Sequence, residues 1–247
     1  MTARRLRLRL LRLAFGALYG PLAPAYDLIT RLCFAGEWDR WQDAAAARLV
    51  GGRILELGPG TGALAARLVR SGFDYTGLEP SGPMLALARR RLGQTGRPFN
   101  LVRGRAQGLP FKAGVFDAVL ATFPTEYAVD PAAWSEVFRV LRPGGRWVVV
   151  YAGALSPRGL RGRLSAWVQR LALGPPDAPP RPPLPEVPGF SAACWEAQTP
   201  GGKAFGWEAV RTLAAEVAVE VPAADAEEDR VAVGAEQANP DGGGRPQ

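Results

Sequence analysis

Two carboxylates and three glycines are the best-spaced residues for chemistry in this 247-residue chain. Glu56 lies inside an apolar run, Ile54-Leu55-Glu56-Leu57, and Gly58, Gly60 and Gly62 follow at alternate positions. Glycine has no Cβ, so backbone built from it turns sharply and can come close to a ligand. Leu64, Leu68 and Val69 then recur at helical spacing. Strand, glycine turn and helix in that order form a nucleotide-cofactor loop. Glu79 stands twenty-one residues beyond Gly58, at the end of a second apolar strand. A carboxylate at that place accepts hydrogen bonds from two ribose hydroxyls. Glu56 is costly to bury unless it is hydrogen-bonded, and it suits a carboxylate that orients the loop near a cationic ligand group. The glycines depart from the dinucleotide fingerprint G-x-G-x-x-G, because residue 63 is alanine and the third glycine comes one place early.

What the chain lacks narrows the chemistry further. It has no histidine, which removes the commonest general base, the Ser-His-Asp triad and most zinc or iron sites. Chemistry then falls to carboxylates, tyrosine, backbone amides or a cofactor that brings its own reactivity. Cys33 and Cys194 stand far apart without CxxC or metal-ligand spacing, which predicts free thiols, no metal site and a reducing cytoplasm. The net charge of +7 is uneven: five arginines and no acid occupy residues 1–13, and six acids against two arginines follow Pro222. A basic middle suits nucleic acid or an anionic membrane surface, but abundant Arg, Ala, Gly and Pro also follow from a GC-rich genome.

The elements that must position these residues alternate regularly. RILELG is a strand, LAARLVRSG a helix with Gly72 as its C-cap, DYTGLEP a strand, and SGPMLALARRRLG a helix with Ser81 as its N-cap. Residues 99–102 and 116–121 are further strands, 131–141 a helix, and Arg142-Pro143-Gly144-Gly145 a tight turn into the strand RWVVVYA. Strands and helices in this order give an α/β fold, a doubly wound and mostly parallel sheet. Residues 190–198 and 205–213 are expected as an antiparallel C-terminal hairpin through Thr199-Pro200-Gly201-Gly202.

Three units follow: a basic segment over 1–25, a domain over 26–221 and an acidic, disordered tail over 222–247. The Arg/Leu segment is too short and too charged to span a bilayer, and its weak amphipathicity leaves a peripheral membrane contact open. Residues 26–47 read as one helix, with Leu28, Leu32, Trp38 and Trp41 covering the domain. Residues 160–173 form a candidate helix, and the Pro-rich stretch 174–188, flanked by Trp167 and Trp195, a lid loop.

The run ILELGPGTG, with Glu79-Pro80-Ser81 and Met84-Leu85, then GRAQGLPFKAGVFDAVLATF and FRVLRPGGRWVVV, resembles the class I S-adenosylmethionine-dependent methyltransferases. It is most similar to the ubiquinone/menaquinone-biosynthesis C-methyltransferases, whose N-terminal helix bears the Tyr-Asp pair found here as Tyr26-Asp27. The resemblance implies a Rossmann-like methyltransferase fold, S-adenosylmethionine as cofactor and a small apolar or amphiphilic acceptor. It implies that Glu56, Gly58, Gly60 and Gly62 line the methionine part of the cofactor site and that Tyr26 also binds the cofactor. Glu79 would hold the ribose, Pro80 and Met84 pack near the adenine, Ala106 and Gln107 approach the adenine edge, and Thr122 and Phe123 flank the transferred methyl group. The family often has Asp where this chain has Arg105, and arginine cannot accept a hydrogen bond from the adenine amino group.

Methyl transfer from a sulfonium needs alignment above all, which fits a chain without histidine. Where a proton must leave, Glu126 and Tyr127 are the candidate bases, followed by Asp27 and Tyr26. Nucleic-acid methylation is disfavoured, because TFPTEY lacks the Asn/Asp-Pro-Pro-aromatic run that holds a flipped base. Two other classes stand beside the enzyme: a non-catalytic cofactor-binding or membrane-associated regulatory module, and a nicotinamide-dependent oxidoreductase. The latter requires a fingerprint spacing and a catalytic Tyr-Lys or histidine that this chain lacks.

Overall fold

The computed structural model describes Gly20, residues 22–156 and residues 188–212. The Arg/Leu segment, the helix expected over 160–173, Trp167, most of the Pro-rich stretch and the acidic tail lie outside these residues.

Parallel strands β1 (Arg53–Leu57), β2 (Asp74–Glu79), β3 (Asn100–Arg103), β4 (Phe116–Thr122) and β5 (Leu141–Leu155) lead into the antiparallel pair β6 (Phe190–Thr199) and β7 (Gly202–Arg211). They form one seven-stranded sheet in the order β3-β2-β1-β4-β5-β7-β6. The doubly wound sheet and the C-terminal hairpin are as the alternation predicts. The chain reverses its direction of winding between β1 and β4. The crevice at the carboxyl ends of those strands is where such sheets bind ligands.

Alternate side chains of each strand face opposite layers. Ile54, Tyr75, Leu120 and Val148 pack beneath helices α1 (Tyr26–Phe34), α2 (Glu37–Ala46), α3 (Ala63–Arg70) and α4 (Gly82–Gly93). Leu55, Leu57, Val119 and Trp147 face α5 (Pro131–Val140), where Trp134 and Trp207 stack.

Several local details differ from the sequence reading. Residues 26–47 form two helices, because Ala35 and Gly36 adopt φ of 51° and 83° and break the ladder. That break turns Tyr26, Asp27 and Thr30 inward, so Leu28 and Leu32 face outward, 61% and 70% exposed. Trp41 is buried in their place. Ser71 is the C-cap of α3, and Gly72 lies one residue beyond it. Leu141 pairs with Phe116 and Arg146 with Ala118, so Arg142–Gly145 form a bulge within β5 instead of a turn before it. The hairpin closes at the pair Thr199 and Gly202, so β7 starts three residues earlier than expected. Trp195 sits in the core with Arg48 over its ring, not on a lid. Both cysteines are free thiols. No helix among the described residues is long and apolar enough to cross a membrane.

Candidate functional site

A cavity of about 570 Å³ opens at the carboxyl ends of β1, β2 and β4, within the size range of small-molecule sites. Its floor is the loop after β1. Gly58 and Gly60 line it with φ of 75° and 57°, and a Cβ on Gly60 would meet no atom within 4 Å. This loop therefore offers bare backbone to a ligand.

Glu79 borders the same cavity, and its two carboxylate oxygens hold the loop. Oε2 accepts the Gly60 N–H at 3.0 Å and Oε1 the Ser81 N–H at 2.8 Å. Each oxygen keeps a second acceptor site, so the carboxylate can order the loop and still receive two hydroxyls. Burial raises the Glu79 pKa, and the two N–H groups oppose that rise.

Three of the expected site residues stand behind the cavity wall. Glu56 is buried and accepts the Tyr75 hydroxyl at 2.6 Å. Burial pushes its carboxyl up to about 7, against the Tyr75 hydrogen bond and the charge of Arg67. Gly62 precedes α3 at φ 76°, and a Cβ there would come within 2.9 Å of the Ala88 Cα. It lets α3 and α4 approach each other. Met84 is fully buried in α4, whose N-cap Ser81 accepts its N–H at 3.3 Å.

The remaining expected residues do line the cavity: Tyr26, Pro80, Ala106, Gln107, Thr122, Phe123 and Tyr127. Phe123 has φ 50°, a conformation costing a side-chain-bearing residue about 1–3 kcal/mol. Its N–H donates to the Val150 carbonyl at 2.7 Å, and its ring stacks on Trp38 with centroids 3.9 Å apart and planes 19° apart. Phe34 also stacks on Trp38, and Tyr26 meets Trp38 edge-on. An aromatic wall thus stands beside the end of β4. Tyr127 donates its hydroxyl proton to the Leu57 carbonyl at 3.0 Å. Glu126 lies in the short turn Glu126–Val129, and its side chain is outside the described part of the structure.

A network that the sequence reading did not find ties together residues along one side of the cavity. Asp27 in α1 accepts the Thr61 hydroxyl at 2.7 Å and pairs with Arg91 of α4, which also donates to Thr61 Oγ1 at 2.9 Å. Nearby, Gln42 of α2 donates to Thr122 Oγ1 at 3.3 Å, and Arg67 reaches Asp43 and Asp39 at 2.9 and 3.3 Å. Trp38 was not foreseen as part of the cavity wall, nor Arg67 as a support behind its residues Asp39 and Gln42; the Trp38–Trp41 spacing was the available sign for the first. Arg105 lines the cavity, is exposed and makes no ion pair among the described residues.

Comparison with known proteins agrees with this geometry. Residues 55–149 match the family described as Methyltransferase domain. A demethylmenaquinone methyltransferase of Thermus thermophilus is 39% identical over 139 residues, covering 54% of this chain and 63% of that protein. An uncharacterized methyltransferase of Mycobacterium tuberculosis is 40% identical over 140 residues, covering 56% of this chain and 52% of that protein. This chain thus spans about half to two thirds of the length of these relatives. A solved protein of Methanococcus maripaludis, provisionally designated an S-adenosyl-L-methionine-dependent methyltransferase, shares the fold with a TM-score of 0.53 at 19% identity, over 77% of this chain and 91% of that one.

Proposed function

We propose that this chain, which carries a class I S-adenosylmethionine-dependent methyltransferase domain, methylates a small planar acceptor, apolar or amphiphilic and of the quinone-related kind. The observation that carries this reading is that one cavity joins the glycine loop and Glu79 to the Trp38–Phe123 wall. We take residues 26–221 as the catalytic unit and the cytoplasm as its place of action.

The bound cofactor supplies a sulfonium methyl group that is already electrophilic. In our reading the free acceptor sites of Glu79 hold the ribose hydroxyls, and the bare backbone at Gly58 and Gly60 carries the methionine part. Pro80 and Ala106 flank the adenine, and Gln107 meets its edge. Thr122 and Phe123 border the methyl group, Trp38 and Tyr127 receive the acceptor ring, and Tyr26 stands beside the cofactor. Glu56, Gly62 and Met84 act one layer further out, by setting the shape of the loop and the packing of α4.

Rate then comes mainly from alignment of acceptor, methyl and sulfur. Asp27 is engaged by Thr61 and Arg91, which suits it to hold α1 in place better than to take a proton. Tyr127 spends its proton on Leu57, so of our two candidate bases Glu126 is the better suited. Calorimetric titration with S-adenosylhomocysteine tests the cofactor reading, and saturable binding that Glu79→Ala abolishes is the expected result. Transfer of a tritiated methyl group into quinone, lipid and polar extracts tests the acceptor. Label confined to the polar fraction overturns the acceptor class, and binding without transfer favours a non-catalytic module.

A further inference from the structure

A side-chain amide carries a donor and an acceptor on one carbon, and whichever group holds one of them decides which the ligand meets. Gln107 lines the cavity, and its Nε2 lies 2.9 Å from Oδ2 of Asp130. An ionised carboxylate only accepts, so Asp130 takes the NH2 end of the amide and no other. Asp130 stays ionised, because the Gln107 amide and then the Ala132 N–H hold its pKa below the usual carboxylate range. Its Oδ1 accepts the Ala132 N–H at 2.9 Å at the N-cap of α5, so the carboxylate is fixed from both sides. The neighbouring Arg105 has only donors. Beside Arg105 and Ala106 on the cavity wall, Oε1 of Gln107 is a side-chain acceptor left for a ligand.

We infer that the Asp130–Gln107 pair reads the 6-amino group of adenine: Asp130 positions the amide, and Gln107 Oε1 accepts the hydrogen bond. This rests on the cofactor reading above and specifies how the base is told from its 6-oxo counterpart. A carboxylate in the cavity would read the same group directly. Here the negative charge stands one residue back and acts by fixing which end of an amide faces inward.

The pair can be tested by calorimetry of the full chain with S-adenosylhomocysteine and S-inosylhomocysteine, in which oxygen replaces the amino group. The unsubstituted protein is expected to prefer the adenosyl compound by about three- to tenfold, as one hydrogen bond at a solvent-accessible edge allows. Gln107→Leu, at an exposed position, should bring that ratio close to one. Asp130→Asn keeps a good helix cap, since its oxygen can still accept from Ala132. Its NH2 then faces Gln107, whose amide turns over and shows NH2 to the base. The preference should therefore fall to one or shift toward the inosyl compound. A merely structural role for Asp130 would lower affinity for both ligands alike and leave the ratio unchanged, and that result overturns the inference. So does equal binding of the two ligands by the unsubstituted protein. Binding of neither ligand by the unsubstituted protein would instead remove the cofactor reading on which the inference rests.

Discussion

Gly60 donates its backbone N–H to Oε2 of Glu79 across 3.0 Å, tying the loop after β1 to the end of β2. Because Oε1 also takes an N–H, from Ser81, no position on this side chain tolerates a donor. Glu79→Gln would turn its NH2 against one of the two amides. We expect S-adenosylhomocysteine to bind roughly tenfold more weakly or worse, by calorimetry. Unchanged affinity would remove Glu79 from the site.

Gly60 and Gly62 should separate binding from stability. An alanine at 62 takes φ 76° and brings its Cβ within 2.9 Å of Ala88 Cα and 3.0 Å of Leu92 Cδ1. We expect a loss of about 2–4 kcal/mol and a clear fall in Tm. At Gly60 the Cβ enters open space beside the cavity. Gly60→Ala should cost about 1–2 kcal/mol of stability from backbone strain alone, but weaken cofactor binding more than Gly62→Ala does. Thermal melts alongside calorimetry would show whether the two effects part in this way.

Glu56 makes stability depend on pH with a definite sign. Its folded pKa is raised from 4.5 to about 7, so between those values the folded chain binds more protons than the unfolded one. Stability from this group is full below about pH 4.5 and falls as pH rises toward 7, by on the order of 3 kcal/mol. Glu56→Gln cannot ionise. Its Tm relative to the unsubstituted protein should therefore rise between pH 5.5 and pH 8. A difference that stays flat across that range would mean that the carboxyl is not held neutral by burial.

Asp27 pins α1 over the cavity through Thr61 and Arg91. Asp27→Asn removes the charge that Arg91 faces, while the partly exposed pair contributes only about 1 kcal/mol to global stability. The expected signature is local. Hydrogen exchange should speed up across 26–34 and leave β1 and β4 protected. Uniform loss of protection would contradict a pinning role.

Legibility followed distance along the chain. Gly58, Gly60 and Glu79 fall within one strand–helix–strand unit, where a sharp turn and a strand end have local sequence signs. The two helices over 26–46 and the bulge at 142–145 were harder, because each depends on one or two φ values that residue type alone leaves open. Asp27, Thr61 and Arg91 come from three separate segments and show no shared periodicity.

By itself, the sequence determined the strand–helix order, the glycine loop, the acid after β2 and the absence of histidine chemistry. Each of these is set by local geometry or by composition. Only the tertiary structure decided which look-alikes do what. Gly60 faces the cavity and Gly62 faces α4; Glu79 meets the site and Glu56 meets Tyr75. The physical reason is that residue type and spacing set what a backbone position can adopt. What stands opposite it depends on how distant elements pack.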